Sequence, residues 1–144
     1  MMTVQEISDR LEIDALLSRY ARAIDTLDWA LLDTVFTPDA TVDYTATGGI
    51  RGTYPEVRTW LAQVLPNFAV RQHFVTNREI VVDGDTATSR ALLFNPMGTR
   101  TADGGIELFY VGGCYVDRLR RTADGWRIVE RREEHGWFDR PERR

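Results

Sequence analysis

The sequence predicts an α+β fold, a curved antiparallel sheet with helices covering one face. Three observations predict it. Apolar residues recur at helical spacing early in the chain, the apolar period changes to two from Phe68 onward, and Asp-Gly turns punctuate the second half. Helices therefore come first, one strand interrupts them, and a meander of long strands follows. That order is α+β rather than alternating strand and helix.

Thr3 and Glu6 have capping-box spacing and open a long helix over about 3–25. Its apolar stripe is Ile7, Leu11, Ile13, Leu16, Leu17, Tyr20 and Ile24. Asp28 caps a short second helix, Trp29 to Phe36, which Thr37-Pro38-Asp39 stops because proline cannot continue a helix. Residues 40–46 read as a strand and Gly48-Gly49 as a turn. Thr53-Tyr54-Pro55 opens a third helix, with Trp60, Leu61, Val64 and Leu65 on its apolar face. Strands are expected over 69–82, 86–96, 106–119 and 126–135. No repeat or linker divides residues 1–144, which read as a single domain. The concave side of the sheet, facing the first helix, is the natural place for a pocket.

Composition narrows the function. Of 144 residues, 43% are hydrophobic and 10% aromatic, enough for a substantial core. The net charge of −4 argues against a nucleic-acid partner, which calls for a basic face. The basic run Arg140 to Arg144 reads as a solvated tail. Cys114 is the lone cysteine, so no internal disulfide forms, which suits a reducing cytoplasm. The opening MMTVQEISDR lacks a signal-peptide pattern, and no stretch approaches the roughly 18 apolar residues that span a membrane. All 18 basic side chains are arginine, which excludes lysine Schiff-base chemistry. Two histidines, His73 and His135, without HxH, HExxH or CxxC spacing give no basis for a metal site.

Four residues are candidates for chemistry. Tyr20 lies on the apolar stripe, and Asp25 sits at the C-terminal end of the first helix, the unfavourable end of the helix dipole for an acid. Tyr44 lies in the first strand and His73 inside a strand pattern. Each has a plainer reading: a packed histidine, a core tyrosine, a carboxylate capping the next helix. Only their convergence would make a site.

The stretches EIDALLSRYARAIDTLDWALLDTVFTPDATVDY, RQHFVTN and GGCYVDRLRRTADGWRIVERREEHGWF resemble the SnoaL-like branch of the nuclear-transport-factor-2-like superfamily, over nearly the whole chain. The resemblance implies a cone-shaped, curved antiparallel or mixed β-sheet wrapped around a long N-terminal helix, with two shorter helices. Its nearest enzymes by motif are scytalone dehydratase, bile-acid 7α-dehydratase and lindane dehydrochlorinase. They imply an Asp25–His73 dyad, with Tyr44 and Tyr20 matching tyrosines of the bile-acid enzyme. A last-strand arginine is implied as well. Arg131 is the candidate, with Arg127 and Arg132 as neighbours; strict alternation puts Arg127, Arg131 and His135 on one face and Arg132 on the other. Met97 stands where scytalone dehydratase has a second histidine, and Gly113 and Tyr115 replace its serine and asparagine, so scytalone itself does not fit.

The resulting expectation is a cofactor-independent, dehydratase-like lyase acting on a small, largely apolar polycyclic, polyketide or steroid-like substrate. Leu17, Trp29, Phe36, Trp60, Phe74, Phe94, Met97, Phe109 and Tyr110 are the expected pocket residues. An isomerase or cyclase, or a non-catalytic carrier or dimerising module, remains open, because a fold does not choose a function. The resemblance also implies a homodimer through the outer sheet face, to which Val116, Leu119, Ile128 and Val129 are assigned.

Overall fold

A computed structural model describes residues 1–142. Arg143 and Arg144, the end of the basic run, lie outside the described residues. The first helix, α1 (Val4–Thr26), begins at the capping box: the Thr3 N–H donates to Glu6 Oε2 at 2.6 Å and the Glu6 N–H to Thr3 Oγ1 at 3.1 Å. Its buried face is Asp9, Ile13, Leu16, Leu17, Tyr20, Ala23 and Ile24. Ile7 and Leu11, assigned to that stripe from spacing, are exposed, and the charged Asp9 takes the inward position in their place.

The second helix is shorter than expected. It runs Trp29–Leu32 (α2), and Phe36 instead opens the first strand, β1 (Phe36–Asp43). Thr37-Pro38-Asp39 is therefore part of a strand, not a helix stop. The pairing register slips between Phe36 and Thr41, and proline, which has no N–H for the ladder, falls in that irregular stretch. Tyr44 follows the strand and leads into a 3₁₀ turn, Thr45–Thr47. A short β2 (Arg51–Thr53) returns the chain to α3 (Tyr54–Val64), which has its own capping box, Thr53 with Glu56, and proline in the first turn.

The remaining strands are β3 (Val70–Arg71), β4 (Phe74–Asp83), β5 (Thr86–Arg100), β6 (Ile106–Thr122) and β7 (Gly125–Asp139). The order β2-β1-β7-β6-β5-β3, with β4 also on β5, makes a seven-stranded sheet among the described residues. Among the described residues, β1 with β7 is parallel and the other strand pairs are antiparallel, so the sheet is mixed. The core lies between this sheet and the helices, where Ile13, Leu16, Leu17, Leu32, Val35, Trp126 and Ile128 are fully buried. Burial of that apolar face, at about 25 cal/mol per Å², is what holds α1 across the sheet. No described helix is long and apolar enough to cross a membrane.

Two irregularities set which side chains face inward. The β6–β7 register shifts between Arg118 and Leu119, and again between Gly112 and Gly113. Trp126 and Ile128 face the core, Val129 is absorbed in the first bulge, and the inward phase resumes at Arg131 and Glu133. An extra residue in one strand reverses the parity beyond it. Arg127 therefore does not share the buried face of Arg131, contrary to strict alternation, whereas His135 keeps the phase of Arg131 and Glu133 but is exposed near the strand's end. Leu119 and Ile128 are buried in the core at 1% and 0% exposure, so neither is available to the outer-face contact assigned to them.

Candidate active site

His73 does not lie in a continuous strand. The expected strand 69–82 is broken at Gln72-His73, between β3 and β4. Pro96, opposite on β5, explains the break. The Gln72 N–H still donates to the Pro96 carbonyl at 3.1 Å, but proline has no N–H to return. The Asn95 side-chain amide supplies the missing donor, reaching the Gln72 carbonyl at 2.7 Å. The backbone of His73 is thereby released from the ladder and turned toward α1.

Asp25 meets it there. Leu27, with φ of 57°, ends α1 in a left-handed conformation, which leaves Asp25 in the last turn facing the β3–β4 break. Asp25 Oδ1 lies 2.6 Å from His73 Nδ1, and Oδ2 accepts the His73 backbone N–H at 3.0 Å. The two side chains are 23% and 8% exposed, respectively. An ionised carboxylate only accepts hydrogen bonds, so beside it Nδ1 carries the proton and Nε2 keeps the lone pair. Arg71 braces the junction, donating from Nε to the Asp25 carbonyl at 3.3 Å and from Nη1 to the Leu65 and Phe68 carbonyls.

His73 lines a cavity of about 350 Å³ between α1, α3 and the concave sheet face. Most of its wall is apolar, with Ile24, Leu61, Val64, Phe68, Leu93 and Val111 among the contributors. Of the pocket residues expected from sequence, Trp60, Met97 and Phe109 line it. Leu17 and Phe36 are core side chains, and Phe36 stacks on Tyr54 at 4.8 Å between ring centroids; Trp29 packs against the core without reaching the cavity. Phe74 and Phe94 are about two-fifths exposed on the outer sheet face, and Tyr110 stacks on Phe94 there. Their parity is opposite to that of Leu93, Asn95 and Met97 on β5, which face inward.

Tyr20 and Tyr44 converge, and a third tyrosine that spacing did not single out for the site joins them. The Tyr20 and Tyr44 hydroxyls lie 2.8 Å apart, and those of Tyr20 and Tyr115 3.3 Å apart, all three rings being buried. Burial pushes each phenol well above its ordinary pKa, so all three remain protonated donors. The loop that carries Tyr44 closes over it at Gly49. A Cβ there would lie 2.8 Å from the Trp60 ring and 2.9 Å from Tyr44 Cβ, so only glycine lets the loop pack this closely.

Arg131 lies behind the tyrosines and is not among the cavity-lining residues. Its guanidinium is 4.1 Å from both the Tyr20 and Tyr115 ring centroids, an arrangement for cation–π attraction. It donates to Asp117 through Nε at 2.8 Å and Nη2 at 2.7 Å, and both side chains are fully buried. Burial pulls its pKa down, but the Asp117 charge outweighs this and holds it above the ordinary arginine value. Arg132 is exposed and pairs with Glu134 at 3.6 Å, while Arg127 donates to the Trp126 carbonyl.

Sequence reasoning also missed Glu133 and Asn95, both on the cavity wall. Alternation from Arg131 was the available signal for the first, and Pro96 for the second. No described group of three His, Cys, Asp or Glu residues is placed to hold a metal ion.

Comparison with known proteins agrees with this architecture. An uncharacterized protein of Mycobacterium tuberculosis is 51% identical over 136 residues, covering 92% of this chain and 89% of the relative. A solved structure from Novosphingobium aromaticivorans, described as a scytalone dehydratase, superposes with a TM-score of 0.84 at 18% identity, covering 99% of this chain and 94% of that one. A hexachlorocyclohexane dehydrochlorinase gives 0.80 at 19% identity, covering 94% and 90%. At such identities these two structures establish the shared fold. Residues 5–132 match the SnoaL-like domain, and the chain belongs to that family.

Proposed function

We propose that the protein is a cofactor-independent lyase of the dehydratase kind, acting on a small, largely apolar polycyclic, polyketide or steroid-like substrate. The observation that carries this reading is the 2.6 Å contact between Asp25 and His73 Nδ1, on an imidazole that borders an apolar cavity. Asp25 holds the tautomer that leaves Nε2 basic and stabilises the imidazolium once formed. Nε2 removes a C–H proton, that electron pair becomes the new C=C bond, and the C–O bond on the neighbouring carbon breaks. The departing hydroxide takes up the proton released by the imidazolium and leaves as water, which restores the neutral ring. The Tyr44 and Tyr20 hydroxyls donate hydrogen bonds to the oxygen as it gains charge. Arg131 acts through the tyrosine rings that cover it, and so positions rather than touches the reacting atoms.

The test is a screen of hydroxylated polycyclic, polyketide and steroid compounds for loss of water, followed by His73→Ala. The variant should lose about 10²–10⁴-fold in turnover while still binding product. A variant that eliminates water as fast as the wild type would sink the proposal.

A further inference from the structure

The cavity wall carries a carboxylate that the elimination scheme leaves without a task. Glu133 projects from β7 directly opposite Tyr115 of β6, and cross-strand partners share a face, so both look into the cavity. The side chain is nine-tenths buried, at 8% residue exposure. Its Oε1 has no hydrogen-bond partner among the described residues.

Buried polar atoms are almost always bonded, so an unpartnered carboxylate oxygen on a ligand-sized cavity is a place where a ligand atom belongs. The surroundings specify which atom. The nearby charges are Arg131, which spends Nε and Nη2 on Asp117, and Asp43, which repels. Thr47 lies near the carboxyl, with its hydroxyl donating to the Tyr44 carbonyl at 3.5 Å. Arg131 makes no hydrogen bond to Oε1, and the rest of the wall is dominated by apolar side chains.

We propose that Glu133 is the specificity-determining residue of the cavity, its Oε1 accepting a hydrogen bond from a hydroxyl group on an otherwise apolar ring ligand. This rests on reading the cavity as a ligand site, but not on the chemistry of His73. It narrows the substrate class to molecules with a hydroxyl at the Tyr115–Glu133 wall. Burial keeps the Glu133 pKa above the usual carboxylate value, consistent with a group that lacks a strong partner until the ligand arrives.

The test uses two probes that differ only at the donor, 2-naphthol and 2-methoxynaphthalene, with affinities measured by fluorescence titration. The wild type should bind 2-naphthol about tenfold or more tightly than the ether, the scale expected of a hydrogen bond to a charged acceptor. Glu133→Leu should bring the two affinities together, whereas Glu133→Gln, whose amide oxygen still accepts, should keep most of the difference. His73→Ala should keep it as well. If Glu133→Leu does not fold, the ¹³Cδ resonance of Glu133 in the wild type decides: it should move with 2-naphthol and not with the ether. Equal wild-type affinities, or failure of both probes to bind, would overturn the proposal. So would a preference that survives Glu133→Leu but collapses in His73→Ala, which would move the hydroxyl to the imidazole. Loss of the elimination reading with the preference intact would leave this assignment standing.

Discussion

Asp25 grips His73 at two points, the ring Nδ1 at 2.6 Å and the backbone N–H at 3.0 Å, one carboxylate oxygen on each. The backbone contact sets where the ring begins and the Nδ1 contact sets how it is turned and protonated. Long-range ¹H–¹⁵N spectra of the imidazole should therefore show Nδ1 protonated and Nε2 bare in the neutral ring. Asp25→Asn replaces one acceptor oxygen with a donor and should give a mixture of tautomers. An unchanged spectrum would mean that the carboxylate does not govern the ring.

Asp9 offers a pH-dependent prediction away from the cavity. Its carboxylate accepts from Arg121 at 2.7 and 2.9 Å, from the buried Trp126 Nε1 at 3.1 Å and from Gln5 at 3.0 Å, tying α1 to β6 and β7. The Arg121 hydrogen bonds, working against burial and aided by Trp126 and Gln5, hold its pKa far below the ordinary carboxylate range. Asp9→Ala orphans the indole N–H and should cost about 1–3 kcal/mol near neutral pH. Because the folded pKa is depressed, the wild-type advantage is fully present above the unfolded value of 3.8 and is lost as pH falls through the folded one. Urea midpoints should thus differ by a constant amount from pH 8 to 5 and converge only in strong acid.

The parts of this molecule that were legible in sequence are those governed by local rules. The capping box at Thr3, the proline that opens α3, the helical period of α1 and the turns after Asp83 and Asp124 depend on neighbours a few residues apart. The convergence of Tyr20, Asp25, Tyr44 and His73 was legible only through family resemblance, since they are spread over the first half of the chain and no local pattern joins them. The pocket lining was mostly not legible. It depends on strand phase, which the bulges at Val129 and near Gly112 reset, and on Pro96, which breaks the neighbouring strand at a distance. Phe94 and Tyr110 read as pocket residues by size alone, and one residue of phase puts them outside.

The buried Arg131–Asp117 pair yields the sharpest stability prediction. Both side chains are fully buried, two hydrogen bonds join them, and Arg131 Nη1 has no partner among the described residues. Desolvating two charges costs more than an ordinary pair returns, so such a pair is poor support for stability by itself. Removing one member is worse, because the other charge then stays buried and uncompensated. Asp117→Asn should cost about 3–5 kcal/mol in urea unfolding. The double variant Asp117→Leu, Arg131→Met should recover most of that loss, since it removes both charges and keeps comparable volume. The rings of Tyr20 and Tyr115 would then pack on a thioether in place of a guanidinium, and the elimination rate should fall although the fold is restored. A double variant that is both stable and fully active would show that Arg131 serves neither the fold nor the tyrosines, and that its cation–π geometry is incidental to the site.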